Sequence, residues 1–231
     1  MLGSLKKLWR VFFAAGALVI TLASPLWPGS LQCEGHEVSV EFQDREFAEL
    51  ACEVVDEAEE LFAKCGELGF PDRLNIRIVP ELPQDCVAMY HCGKSAIDVL
   101  APPFMTAKRD PEGAFAFLSL REYFRSVLVH ELAHAATDAV ECPIQSCVAS
   151  DEYVAYALQV MSMSRAAQHE FAARSGFERR VSRDELSQII LLMAPNLFAQ
   201  KVWAHLSQRD DQCGFIGQLA DRTVVLDRER F

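Results

Sequence analysis

Ser119-Leu-Arg-Glu122 has the spacing of a capping box, in which a serine hydroxyl and a glutamate carboxylate satisfy each other's backbone N–H groups. It predicts the start of a strongly apolar helix running to about Ala139, and His130, Glu131 and His134 fall in the middle of that helix. Three ionisable side chains on adjacent turns of a buried helix cost several kcal/mol unless each finds a partner. Any fold for this chain must therefore bring polar or metallic partners to that helix.

The spacing His130-Glu131-Leu132-Ala133-His134 says which partner suits it. Residues at i and i+4 share a helix face about 6 Å apart, so both imidazoles reach one tetrahedral ion at roughly 2.1 Å. Glu131 stands beside the open position. Zinc is the expected ion: it polarises a carbonyl and acidifies water, and a neighbouring carboxylate can take that proton and pass it to a leaving amine. Ala133 and Ala135 leave room for close helix packing.

Composition bounds the rest. The chain has 231 residues with 33 Asp+Glu against 22 Lys+Arg, a balance of −11. That acidity argues against nucleic-acid partners and against an anionic membrane surface. With 51% hydrophobic residues it can bury a full core. Lys6, Lys7 and Arg10 precede the apolar run Val11 to Leu22, and Pro25 and Pro28 follow, which reads as a secretory signal cleaved after Ala23. Removing three positive charges takes the balance from −11 to about −14. Export to a periplasmic or extracellular compartment follows, with an uncleaved N-terminal membrane anchor as the alternative. No membrane contact is expected beyond this segment.

All eight cysteines, at 33, 52, 65, 86, 92, 142, 147 and 213, lie after the proposed cut. An even count in an exported chain implies disulfides. Cys52 and Cys65 share one helical stretch at nearly 20 Å, so they pair elsewhere. Cys86 with Cys92 and Cys142 with Cys147 are expected to close small loops. A cysteine-based zinc cluster lacks any C-x-x-C pair.

The pattern along the chain predicts one α+β domain over 24–231 with two lobes joined near residue 140. His36 to Phe42 alternates as a strand, and Asp44 opens a helix that stops near Gly66. Leu74, Ile76 and Ile78 alternate as another strand, and Val87 to His91 and Ala96 to Leu100 form two more around Cys92-Gly93-Lys94. A loop rich in proline over 101–113 leads to the capped helix, with Phe104, Phe115 and Phe117 packing beneath it. After residue 140 the pattern is helical: Ser150 caps a helix to about Gln168, Ser182 with Glu185 caps another ending near Pro195, and a last one spans about 196–206.

The helix with its His-Glu-x-x-His resembles that of the zincin metallopeptidases. The resemblance covers about half the chain and implies a small twisted sheet with a backing helix, the active-site helix, and an edge strand lining a peptide cleft, here Ala96 to Leu100. The metzincin branch places a glycine and a third histidine where this chain has Thr137 and Val140, so that branch is rejected. Gluzincins instead take a third ligand from a glutamate of the next helix, which implies Glu152, with Asp151 as its substitute should the helix be rotated. Glu152 also reads as an acid complementing a helix dipole.

The thermolysin-like form carries an Asp four residues after that glutamate, where this chain has Tyr156. Asp138, four residues after His134, is the candidate to orient that imidazole from behind. Tyr156 is the favoured oxyanion donor, with Tyr153, His169 and His205 as alternatives. His36 and His91 belong to the sheet lobe.

The resulting expectation is an exported zinc metallopeptidase: His130, His134 and Glu152 hold Zn2+, Glu131 is general base and then acid, and a peptide lies along the edge strand. The alternatives are a zincin-like zinc-binding protein without proteolysis, acting as an envelope interaction module, and hydrolysis of a non-peptide amide.

Overall fold

A computed structural model describes residues 29–66, 68–83 and 86–227. The secretory signal expected at 1–23 lies outside the described residues, among which no helix is long and apolar enough to cross a membrane.

The first half builds a five-stranded mixed sheet. β1 (Gly29–Gln32) pairs antiparallel with β2 (Val38–Phe42), and Asp44 then caps α1 (Arg45–Lys64) by accepting from the Glu46 N–H. The chain returns in β3 (Leu74–Val79), parallel to β2, so α1 is a crossover helix. β4 (Ala88–His91) and β5 (Ala96–Leu100) form a hairpin whose second strand pairs parallel with β3, giving the order β1-β2-β3-β5-β4. The edge strand is therefore β4, and the expectation that Ala96 to Leu100 is the edge is corrected. Burial explains the placement: Ile97, Val99 and Leu100 are buried, whereas Tyr90 alone is buried in β4.

Val38, Val40, Phe42, Leu74, Ile76 and Ile78 alternate inward beneath α1. The opposite face is polar, with Asn75 donating to Glu41 and Arg77 and His91 meeting Asp98. α2 (Pro102–Met105) is a single turn within the proline-rich loop, and α3 (Leu120–Thr137) opens with the capping box at Ser119 and Glu122. α3 packs against α1, β4 and β5, which places the His-Glu-x-x-His helix beside the edge hairpin.

The rest is helical: α4 (Val148–Met161), α5 (Arg165–Ser175), a short 3-10 turn at Arg183–Glu185, α6 (Gln188–Met193), α7 (Pro195–Leu206) and α8 (Gln212–Ala220). The expected helix from Ser150 to Gln168 is two helices, since Ser164 caps α5 at its own start. Ser150 lies inside the first turn of α4 and does not cap it. Asp227 performs that service, accepting from the N–H groups of Ala149 and Ser150 and from the Ser150 hydroxyl. The capping box at Ser182 and Glu185 is present on the 3-10 turn. Phe115 packs inside, stacking on Tyr156, but Phe104 is exposed.

Three disulfides close, Cys33–Cys52, Cys65–Cys213 and Cys142–Cys147, and they suit an oxidising, exported location. The second ties the end of α1 to α8 across 148 residues of chain. Cys142–Cys147 agrees with expectation; Cys86–Cys92 does not form, and both thiols are free. β4 itself is the reason, because its four extended residues carry the chain over about 10 Å or more between the two cysteines, beyond disulfide reach.

Candidate metal centre

α3 and α4 run antiparallel and in close contact: Glu152, early in α4, meets His130 and His134, while Gln159, two turns later, meets His130 and Ser126. Ala155, fully buried, and Ala133 leave the space for this approach. The consequence is a convergence of three donor atoms. His130 Nε2 and His134 Nε2 are 3.2 Å apart; His130 Nε2 is 3.5 Å from Glu152 Oε2, and His134 Nε2 is 3.5 Å from Glu152 Oε1.

Those separations test whether an ion fits. Four ligands around a tetrahedral ion at roughly 2.0–2.1 Å are about 3.3–3.4 Å from one another, so the spacing of the two ring nitrogens, and of each from its nearer Glu152 oxygen, suits such an ion. Among the described residues His130, His134 and Glu152 form a His/Cys/Asp/Glu group with metal-holding geometry. The three side chains are partly buried, at 13%, 20% and 24% exposure, which leaves one side open.

Electrostatics agree with the geometry. Burial opposes charge on every member, and the group resolves this by pairing. Burial alone would depress His130, but Glu152 beside it outweighs that and raises it. Glu152 is pulled down despite burial because both imidazoles face it. His134 is pushed down to about 4 by burial and by the neighbouring His130. Glu152 and His134 are thus held in the forms that ligate, ionised carboxylate and neutral imidazole, whereas His130 gives up the proton it shares with Glu152 when an ion binds.

Gln159 is the residue that sequence reasoning missed. Its carbonyl oxygen accepts from His130 Nδ1 at 3.1 Å, while its amide donates to the Ser126 hydroxyl, which in turn donates to the Tyr123 carbonyl. This chain orients the amide, fixes the proton on Nδ1 and leaves the Nε2 lone pair toward the open centre. The available signal was its position seven residues after Glu152, on the α4 face that also carries Tyr156.

Asp138 does not orient His134. Standing at the C-terminal end of α3, it accepts from the Tyr90 hydroxyl and from the Gly93 N–H, both at 2.9 Å. It pins the β4–β5 hairpin to the end of the helix, and Gly93, at φ +70°, supplies the left-handed turn that presents its N–H. Asp151 is also removed as a substitute ligand, because its carboxylate is bridged to Arg222 at 2.6 Å.

Glu131 lies on the sheet side of the centre. It is 9% exposed, and its Oε2 accepts from the Tyr90 main-chain N–H at 2.7 Å. Burial raises its carboxyl above the ordinary range, and His130 offsets this only in part. On the other side the Tyr156 ring packs edge-on against His130, with centroids 4.6 Å apart. The remaining candidates lie elsewhere. Tyr153 is fully buried with its hydroxyl against His205 Nδ1, and His169 is exposed on α5. His36 pairs with Asp56 and His91 with Asp98.

The match of a family model to residues 38–229 places the chain in a family of unknown function, DUF6639. No curated protein and no solved structure matches it.

Proposed function

We propose that this member of DUF6639 is an exported zinc metallopeptidase of gluzincin type, with a zincin-like fold. The observation that carries the reading is the placement of Glu131: a buried carboxyl with a raised proton affinity, next to a His130–His134–Glu152 triangle of metal-ligating size and held to the edge strand. A purely structural zinc takes a fourth protein ligand and needs no such neighbour.

His130, His134 and Glu152 would hold the ion, with Gln159 fixing the His130 tautomer. Bound zinc supplies Lewis acidity, polarising a carbonyl and lowering the proton affinity of water. Glu131 then does the proton work. Its burial keeps it a strong enough base to take a proton from water and a strong enough acid to return it to a leaving amine. The Tyr90 N–H restrains one of its oxygens and leaves the other free.

The Tyr156 hydroxyl, carried on a ring packed against His130, is the group suited to donate to a developing oxyanion. Along β4, the pairing of Val87 with Leu100 turns the main-chain groups of Ala88 and Tyr90 away from β5. With the Tyr90 N–H taken by Glu131, a peptide lying there would pair with the Ala88 main-chain groups and the Tyr90 carbonyl.

The experiment compares wild type with Glu131→Gln in the mature, disulfide-bonded protein. Zinc stays near one per chain in both, and peptide cleavage survives only in wild type. Equal cleavage by the two would remove the catalytic assignment.

A further inference from the structure

A cleft of about 680 Å3, lined by none of the residues of the metal centre, opens between α7, α8 and the segment around Arg180. Its lining includes Arg180, Arg209, His205 and Ser182. We propose that this cleft binds a small, multiply charged oxyanion, a phosphate or a dicarboxylate, through the guanidinium groups of Arg180 and Arg209.

Three observations converge on that ligand class. Among the described residues Arg209 has no carboxylate partner: its Nη2 meets His205 Nε2 at 3.2 Å, its guanidinium lies over the Phe215 ring at 3.5 Å, and its Nε is buried without a hydrogen-bond partner. The buried Nε marks a guanidinium whose charge is incompletely met by the protein, and an acceptor in the cleft would be met by its terminal nitrogens. The nearby acids do not serve. Asp211 is committed to the Gly214 N–H at the start of α8, and Glu185 is held by Arg179 and Lys201. Asp210, at the rim, forms no ion pair with either guanidinium among the described residues.

The positive field is also felt by His205. Its ring is pushed down to about 4, by burial first and then by Arg209, Arg180 and Arg183. Its Nε2 is thus a neutral acceptor that orients Arg209 from behind, and its Nδ1 faces the Tyr153 hydroxyl at 2.9 Å. Asp210 and Asp211 also line the cleft, so what singles it out in a chain with a net charge of −11 is the placing of two guanidiniums on one cleft without an ion pair to those acids. Forked guanidinium donors match the paired oxygens of carboxylate and phosphate.

The test is isothermal titration of the zinc-loaded mature protein with inorganic phosphate and, separately, succinate, ionic strength being held constant with chloride. Saturable binding in the millimolar range or tighter is expected for one probe or both, and which one binds tells the tetrahedral from the planar oxyanion. Arg180→Gln and Arg209→Gln should each weaken that binding by about tenfold, consistent with loss of a charge-assisted contact. Arg180 is exposed, so its replacement leaves folding intact and decides the matter even if the Arg209 variant is unstable. Glu131→Gln, outside this cleft, should bind as wild type does. No saturable heat for either probe, or undiminished affinity in Arg180→Gln, would overturn the proposal.

Discussion

The main-chain N–H of Tyr90 on the edge strand donates to Oε2 of Glu131 on the histidine-bearing helix at 2.7 Å. The strand that would receive a peptide and the carboxyl that would move its proton are thus one mechanical unit. A side-chain substitution cannot remove that donor, but the Tyr90 hydroxyl, bonded to Asp138, holds the strand in register with the helix.

Tyr90→Phe should therefore loosen the hairpin without touching the metal ligands. Loss of one partly buried hydrogen bond costs about 1 kcal/mol, and Asp138→Ala, which strands two donors, about 1–3 kcal/mol. Urea unfolding reads both, and zinc content should stay as in wild type. Unchanged midpoints would show that the contact does not hold the hairpin.

Gln159→Leu removes the acceptor at His130 Nδ1 while preserving volume. Zinc affinity, measured by competition with a chelator, should weaken by about 10–100-fold, and Gln159→Glu should restore most of it. An affinity indifferent to both changes would show that the amide does not act on the centre.

His205 should give the fold a pH dependence of known sign. Its folded value of about 4 lies below the value of about 6.5 for an unfolded histidine. Between those limits the unfolded chain binds a proton that the folded chain refuses. Stability is thus complete above pH ~6.5 and falls as pH drops toward 4, by at most ~3 kcal/mol. A nuclear magnetic resonance titration of the ring checks the cause: no protonation is expected above about pH 5, and titration near 6.5 would contradict it.

The cysteines offer a chemical count. Denatured without reductant, the protein should release two thiols per chain, at Cys86 and Cys92. Peptide mapping that recovers Cys86 linked to Cys92 would show that β4 does not hold them apart.

What could be read from the sequence follows the range of the interaction. The Asp44 cap, the alternation of Leu74, Ile76 and Ile78, and the Ser119–Glu122 box are local, and α1, β3 and α3 begin where they indicate. The histidine spacing is likewise a property of one helix. Convergence of Glu152 on those rings depends on the rotation of α4. That rotation is fixed by Asp227 and Arg222 from the far end of the chain, which is why Asp151 remained an alternative.

Strand order was illegible for the same reason. β5 inserts beside β3 and leaves β4 outside, a choice made by burial of Ile97 and Val99 against helices more distant in sequence. Cys65 finds Cys213 only once α8 has folded back onto α1, where Gly217 permits an approach to the Cys65 carbonyl that a side chain would block. Asp138 was drawn to the hairpin, two donors there outcompeting one imidazole.

The most direct measurement is X-ray absorption at the zinc edge on the mature protein, taken with its zinc stoichiometry. Two imidazole nitrogens and light oxygen donors at roughly 2.0–2.2 Å are expected, with about one zinc per chain, falling well below that in Glu152→Ala. Sulfur scattering at about 2.3 Å, which would place the ion on the free cysteines, or full zinc retention without the Glu152 carboxylate, would contradict the account.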